Sequence, residues 1–156
     1  MKKFIIVAGS PNSGKTITTN KVIKKLLGNG FQVEDYFQDE SKKEFWMKCN
    51  RSGNETTGGS VVLKKDNKRV VVISYGDILK SISSLFEQIN YETYDSIICC
   101  SHATRGKRIF DYFHGLISDI DLTKTKVIPL YKNLLSGHKK DGQENEHFAD
   151  LIISLL

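Results

Sequence analysis

The sequence predicts a three-layer α/β domain whose mostly parallel sheet carries an antiparallel hairpin at its edge. Three observations predict it. Apolar runs at Phe4 to Ala8 and Ile97 to Cys100 have the make-up of parallel strands covered on both faces. Segments with apolar residues at helical spacing alternate with such runs, as in α/β folds. Two β-rich runs, Ser60 to Lys64 and Arg69 to Ser74, flank the polar break Lys65-Asp66-Asn67-Lys68, which is a hairpin pattern. A length of 156 residues suits one hydrophobic core, so residues 1–156 read as a single domain.

Taken in order, the first strand is Lys3 to Ala8. A helix from about Lys15 to Leu27 follows, with Val22, Ile23, Leu26 and Leu27 on one face. Gly28-Asn29-Gly30 supplies its left-handed stop. The next strand, Phe31 to Phe37, alternates Phe31, Val33 and Asp35 against Gln32 and Glu34, completing a crossover to a parallel strand. Phe45-Trp46-Met47 reads as core or a short strand. The polar, glycine-rich stretch from Asn50 to Gly59 reads as a mobile loop, and Gly53 to Ser60 as a hairpin connection with a lid over a ligand as its functional alternative. After the hairpin, a helix runs from Asp77 to about Asn90 on Ile78, Ile82, Leu85, Phe86 and Ile89. The strand Ser96 to Ser101, a helix from about Thr104 to Ile117, the strand Lys126 to Leu130 and a helix over Asn145 to Leu156 complete the chain.

Composition narrows the class. With 39% hydrophobic and 26% charged residues the chain is globular, and no apolar stretch nears the ~18 residues that cross a bilayer. No membrane partner is expected. The basic Met1-Lys2-Lys3 start looks like the head of a signal peptide, but the apolar run passes directly into a glycine-rich loop, so a cytoplasmic location is expected. Three cysteines without a CxxC spacing agree. Cys99 and Cys100, adjacent on a strand, read as buried hydrophobes. The net charge of +5 suits an anionic ligand. Its lysines are dispersed rather than clustered, which disfavours a nucleic-acid partner without excluding one.

The chemistry centres on Gly9-Ser10-Pro11-Asn12-Ser13-Gly14-Lys15-Thr16. This is G-x-x-x-x-G-K-[ST] between a strand and a helix. Gly9 and Gly14 are expected to take turn conformations closed to residues with a Cβ. The N–H groups of Gly9, Ser10, Asn12, Ser13 and Gly14 then face inward as an anion nest, backed by the helix N-terminus. Lys15 reaches the β- and γ-phosphates, and the Thr16 hydroxyl ligates Mg²⁺.

Ligands of open α/β sheets bind beyond the carboxyl ends of the strands, which nominates further residues. Asp77 is the candidate acid for Mg²⁺ and the attacking water, and equally a helix cap. Arg105, Lys107 and Arg108 place cations at a helix start, where the dipole disfavours them unless they hold an anion. Arg105 is the candidate catalytic cation; Lys107 and Arg108 are candidates for substrate binding. Asp35 is the second candidate, as the Mg²⁺-side acid or as a substrate ligand, or else a solvated strand-end acid. His102 is a candidate phosphate donor or proton carrier, or a structural hydrogen-bonder. Tyr131-Lys132-Asn133 follows the last strand.

The Gly9 to Thr16 motif resembles that of the P-loop NTPase superfamily, on its kinase-GTPase side. The resemblance implies a parallel sheet between helices that binds Mg²⁺ and a nucleoside triphosphate. The guanine-reading N-K-x-D pattern and a D-x-x-G after the hairpin are missing, and both sheet strands that should carry an acid end in serine. ATP is therefore the expected cofactor. The leading expectation is a Mg²⁺-dependent protein that hydrolyses ATP or transfers its γ-phosphate to a small acceptor. A nucleotide-binding regulatory module with little turnover is the alternative, and a nucleic-acid-associated ATPase a third.

Overall fold

The computed structural model describes residues 1–10, 12–36, 59–74, 87–88, 90–102, 111, 114–116, 118–132 and 142–156. Its sheet has six strands in the order β2-β3-β4-β5-β1-β6. They are β1 (Lys2–Gly9), β2 (Gln32–Tyr36), β3 (Ser60–Lys65), β4 (Lys68–Ile73), β5 (Ser96–His102) and β6 (Thr125–Lys132). Helix α1 (Lys15–Gly28) follows β1, and helix α2 (Gly142–Leu155) follows β6. A 3₁₀ turn, Tyr91–Thr93, leads into β5.

The apolar runs explain which strands are central. β1 pairs in parallel with β5 on one side and β6 on the other, Ile5 lying opposite Ile98 and Ile128. Both faces of β1 are buried: Ile5 and Val7 on one, Phe4, Ile6 and Ala8 on the other. α1 and α2 cover the first face, where Ile5, Val7, Val22, Ile23, Leu26, Ile98, Ala149 and Ile152 form one core. Cys99 and Cys100 are buried free thiols, as adjacent strand positions predicted. Burial pushes the Cys99 thiol well above its usual range.

The antiparallel part differs from the expected edge hairpin. β4 pairs in parallel with β5, while β3 pairs antiparallel with both β4 and β2. The reversed strand is therefore β3, and it lies inside the sheet with β2 outermost. Lys65 and Lys68 belong to the strands, so the turn is Asp66-Asn67 with Asp66 left-handed at φ 52°, a conformation aspartate tolerates. On the other flank β6 is outermost and holds Pro129 opposite Ile6. An outer strand accommodates a residue without a ladder N–H.

Two local expectations need correction. Leu27 does not join the buried face of α1; it is exposed, while Val22, Ile23 and Leu26 are buried. Buried polar residues Thr18, Thr19 and Asn20 share the covered side. Asp35 falls out of alternation because the β2–β3 register shifts between Val33 and Asp35. Such a bulge hands the inward phase to Tyr36, which packs on the core with Phe31 and Val33. The helix stop behaves as expected. Phe31 N–H donates to the Leu26 carbonyl and Gly30 N–H to that of Leu27, with Gly30 at φ 88°, a Schellman cap.

α2 lies along α1 and runs the depth of the sheet. Lys21 and Lys25 of α1 pair with Glu146 of α2 at 2.9 and 2.5 Å, and Lys25 also with Asp150 at 2.7 Å. Beyond its end, the Leu156 carbonyl accepts from Lys3 Nζ at 3.1 Å and Lys68 Nζ at 2.7 Å. Among the described residues, no helix is long and apolar enough to cross a membrane.

Candidate functional site

β1 ends at Gly9 and α1 begins at Lys15, so the glycine-rich segment is a strand-to-helix loop at the carboxyl end of a central strand. Its two motif glycines are required for different reasons. Gly14 is left-handed, φ 83° and ψ 19°, which a Cβ would strain. Gly9 has no such angle. A Cβ there would collide with the Lys132 carbonyl oxygen and with Ser13 Oγ, so close packing, not conformational freedom, excludes a side chain. Asn12 is also left-handed at φ 62°, one of the few other residues that enter that region readily.

Lys15 folds back over the loop. Its Nζ donates to the Ser10 carbonyl at 2.8 Å and the Gly9 carbonyl at 3.2 Å, and the residue is buried. Ser13 N–H donates to the Ser10 carbonyl at 3.2 Å. The Ser13 hydroxyl is buried without a partner among the described residues. No side chain caps the N-terminus of α1, and no acid occupies its first turn. The amino end of its dipole therefore faces the loop without side-chain compensation. A left-handed glycine, an uncapped helix start and a lysine resting on carbonyls fit a bound polyphosphate.

The Thr16 hydroxyl donates to the Ser74 carbonyl at 3.3 Å, just past β4. Beneath it, Ser74 Oγ donates to Asn20 Oδ1 at 3.2 Å and accepts from Thr19 Oγ1 at 2.9 Å. This buried polar mesh seats the first turns of α1 on the carboxyl end of β4. Among the described residues no group of three His, Cys, Asp or Glu side chains could hold a metal. Magnesium carried by phosphates needs few protein ligands, so a lone hydroxyl at Thr16 is compatible with the assigned role.

The sequence-nominated partners divide. Gly9, Ser10, Asn12, Ser13, Gly14, Lys15 and Thr16 come together in one loop. His102 ends β5, its backbone in register with Gly9. Ser101, in register with Ala8, has a buried hydroxyl unpartnered among the described residues. Asp35 lies on the outermost strand, four strand positions from β1, or about 19 Å at ordinary spacing. Its Oδ1 accepts from the neighbouring Tyr36 N–H at 2.7 Å, so it is not gathered to the loop. Asp77, Arg105, Lys107 and Arg108 lie outside the described residues, as do Phe45-Trp46-Met47, the loop up to Gly58 and Pro11.

Two residues at the site were not nominated for a role. Lys132 ends β6 in register with Gly9 and is 1% exposed. Its Nζ donates to Asn145 Oδ1 at 2.7 Å, stands 3.4 Å from Glu144 Oε1 and lies 4.6 Å from the centre of the Phe148 ring. Asn145 Oδ1 also accepts from Thr18 Oγ1 at 3.2 Å, and the same side chain fills the space beside Gly14. Burial lowers the Lys132 ammonium pKa; Glu144 opposes that shift and Lys15 adds to it. The signal for Lys132 was its phase: it continues the inward set of Ile128 and Leu130. A strand ended at Leu130 hides it.

A cavity of about 350 Å³ lies elsewhere, at the amino ends of β1, β5 and β6, among Lys3, Phe4, Tyr94, Ile97, Leu116 and Thr125. It does not coincide with the loop. Phosphate nests are shallow and built of backbone N–H groups, so enclosed volume is a poor guide to them. A scan against family models matches none, and a search of curated proteins returns no relative.

Proposed function

We propose that the chain binds a Mg²⁺–nucleoside triphosphate, ATP by preference, in the Gly9 to Thr16 loop and hydrolyses it or transfers its γ-phosphate to a small acceptor. The observation that carries this reading is the posture of Lys15, folded onto the Gly9 and Ser10 carbonyls over an uncapped helix start. Phosphate oxygens would replace those carbonyls as acceptors, exchanging bonds from the ammonium to neutral oxygens for stronger bonds to anionic ones. The loop N–H groups would hold the same oxygens, and the Thr16 hydroxyl, which donates to the Ser74 carbonyl, would be the protein's ligand to the metal. ATP with Mg²⁺ supplies the transferable phosphoryl group and the charge neutralisation; the protein's part is to position and stabilise. Asp77, which follows β4 in the sequence, is the candidate acid on the Thr16 side, and Arg105 the candidate cation for the developing charge.

One observation favours the second reading, a nucleotide-binding regulatory module with little turnover. The strands flanking β1 end in Ser101-His102 and Tyr131-Lys132, with no carboxylate to orient an attacking water. Calorimetric titration with MgATP, followed by single-turnover phosphate release with and without a panel of small acceptors, separates the two. Binding with release or transfer supports the enzyme. Binding alone supports the module. No binding, or binding that survives Lys15→Ala, removes both.

A further inference from the structure

We infer that Lys132 is a second fixed cation of the phosphate site, held behind the loop by Asn145, and that its charge favours longer polyphosphates. The inference rests on the reading of the loop as a triphosphate site.

The geometry joins Lys132 to both ends of that loop. At the first end, its backbone lies beside Gly9, and its carbonyl occupies the space a Gly9 Cβ would need. At the other, its ammonium is bonded to Asn145 Oδ1. That oxygen also accepts from Thr18 in the first turns of α1, and the Asn145 side chain sits against left-handed Gly14. One amide thus connects a buried charge, the helix start and the glycine that shapes the nest. Small displacements of Lys132 or Asn145 would be felt as displacements of the loop N–H groups.

The energetics point the same way. A lysine so deeply buried is expensive for a fold, and here the cost is met in part by one amide, one half-exposed carboxylate and one aromatic ring. Lys15 is close enough to destabilise the charged form further. The two ammonium groups repel each other, and a polyphosphate held by the loop N–H groups would attract both. The field of a buried charge is weakly screened, so its effect grows with the negative charge of the ligand. Apolar residues often replace buried charges at no cost in stability, which makes retention of a lysine here an expense that binding offsets.

The test measures affinity by calorimetry for adenosine mono-, di- and triphosphate and for inorganic tripolyphosphate, with thermal unfolding of each unliganded protein. Lys132→Met is expected to weaken triphosphate and tripolyphosphate on the order of tenfold, diphosphate less and monophosphate least, without lowering the unfolding temperature. Lys132→Gln keeps a donor for Asn145 and is expected to show the same graded loss, since it too lacks the charge. An equal loss for every ligand with a lowered unfolding temperature would mark a damaged loop and overturn the inference. So would wild-type affinities in either variant. If Lys15→Ala abolishes binding while both Lys132 variants retain it, this inference alone falls. A wild-type chain that binds none of the four ligands removes the loop reading and this inference with it.

Discussion

Two pairs of lysines beside the α1–α2 seam are put to opposite uses. Lys21 and Lys25, along the seam, are met by the carboxylates of Glu146 and Asp150 in bonds of 2.5–2.9 Å. Lys15 and Lys132, at its loop end, are more deeply buried, and each donates to a neutral oxygen: the Ser10 carbonyl and the Asn145 amide. The first pair acts as a tie between helices. In the second, charge is buried against weak acceptors that a phosphate can outbid. Residue type is identical, so the distinction comes from the acceptors that the neighbouring elements supply.

The sharpest way to break that contrast is Lys15→Ala. MgATP affinity is expected to fall on the order of 100-fold, the loss of more than one charge-assisted bond, while the unfolding temperature changes little. An unaltered dissociation constant by calorimetry would mean that Lys15 is as structural as Lys25. Next in size is Gly14→Ala. A Cβ would be strained at φ 83° and collide with the Asn145 side chain, so stability is expected to drop by about 2 kcal/mol and the loop's affinity with it. Urea denaturation beside nucleotide titration reads both. A neutral result would show that Asn145 does not brace the loop.

The smallest effect belongs to the tie. Hydrogen bonds from Lys25 and then Lys21 hold the Glu146 carboxyl down at about 2, from an ordinary 4.5. The folded state therefore binds fewer protons than the unfolded one between those values. The stabilisation is complete above pH 4.5 and is lost as pH falls towards 2. Because Glu146 is 42% exposed, solvent screening keeps the gain below about 1 kcal/mol. Glu146→Gln is expected to lower the unfolding temperature slightly at pH 7 and to flatten its decline between pH 4.5 and 2. An unchanged acid slope would show that these ion pairs contribute nothing.

The contrast also marks what could be read without coordinates. β1, the loop and α1 were legible because each rests on local physics: a continuous apolar run, glycines at a fixed spacing and a helical repeat. The hairpin was legible for the same reason. The position of β3 inside the sheet was not, because strand order is decided by packing among residues far apart in the chain. Asp35 was misphased because a one-residue bulge has no composition signature. Thr18, Thr19 and Asn20 are polar yet buried: Thr19 and Asn20 meet Ser74, and Thr18 meets Asn145. Lys132 was nominated only as a position beyond the last strand and Asn145 only as a helix start; their contact forms where β6 and α2 meet behind Gly9 and Gly14.

The anchoring of Leu156 has a practical corollary. α2 starts beside the loop and spans about 21 Å at 1.5 Å per residue. It delivers the last residue to the amino ends of β1 and β4, onto Lys3 and Lys68. A tether attached beyond Leu156 emerges at the rim opposite the loop. Immobilised through that point, the protein presents Gly9 to Thr16 to solution, so a surface-based assay would test the proposed nucleotide capture without the support shielding the loop.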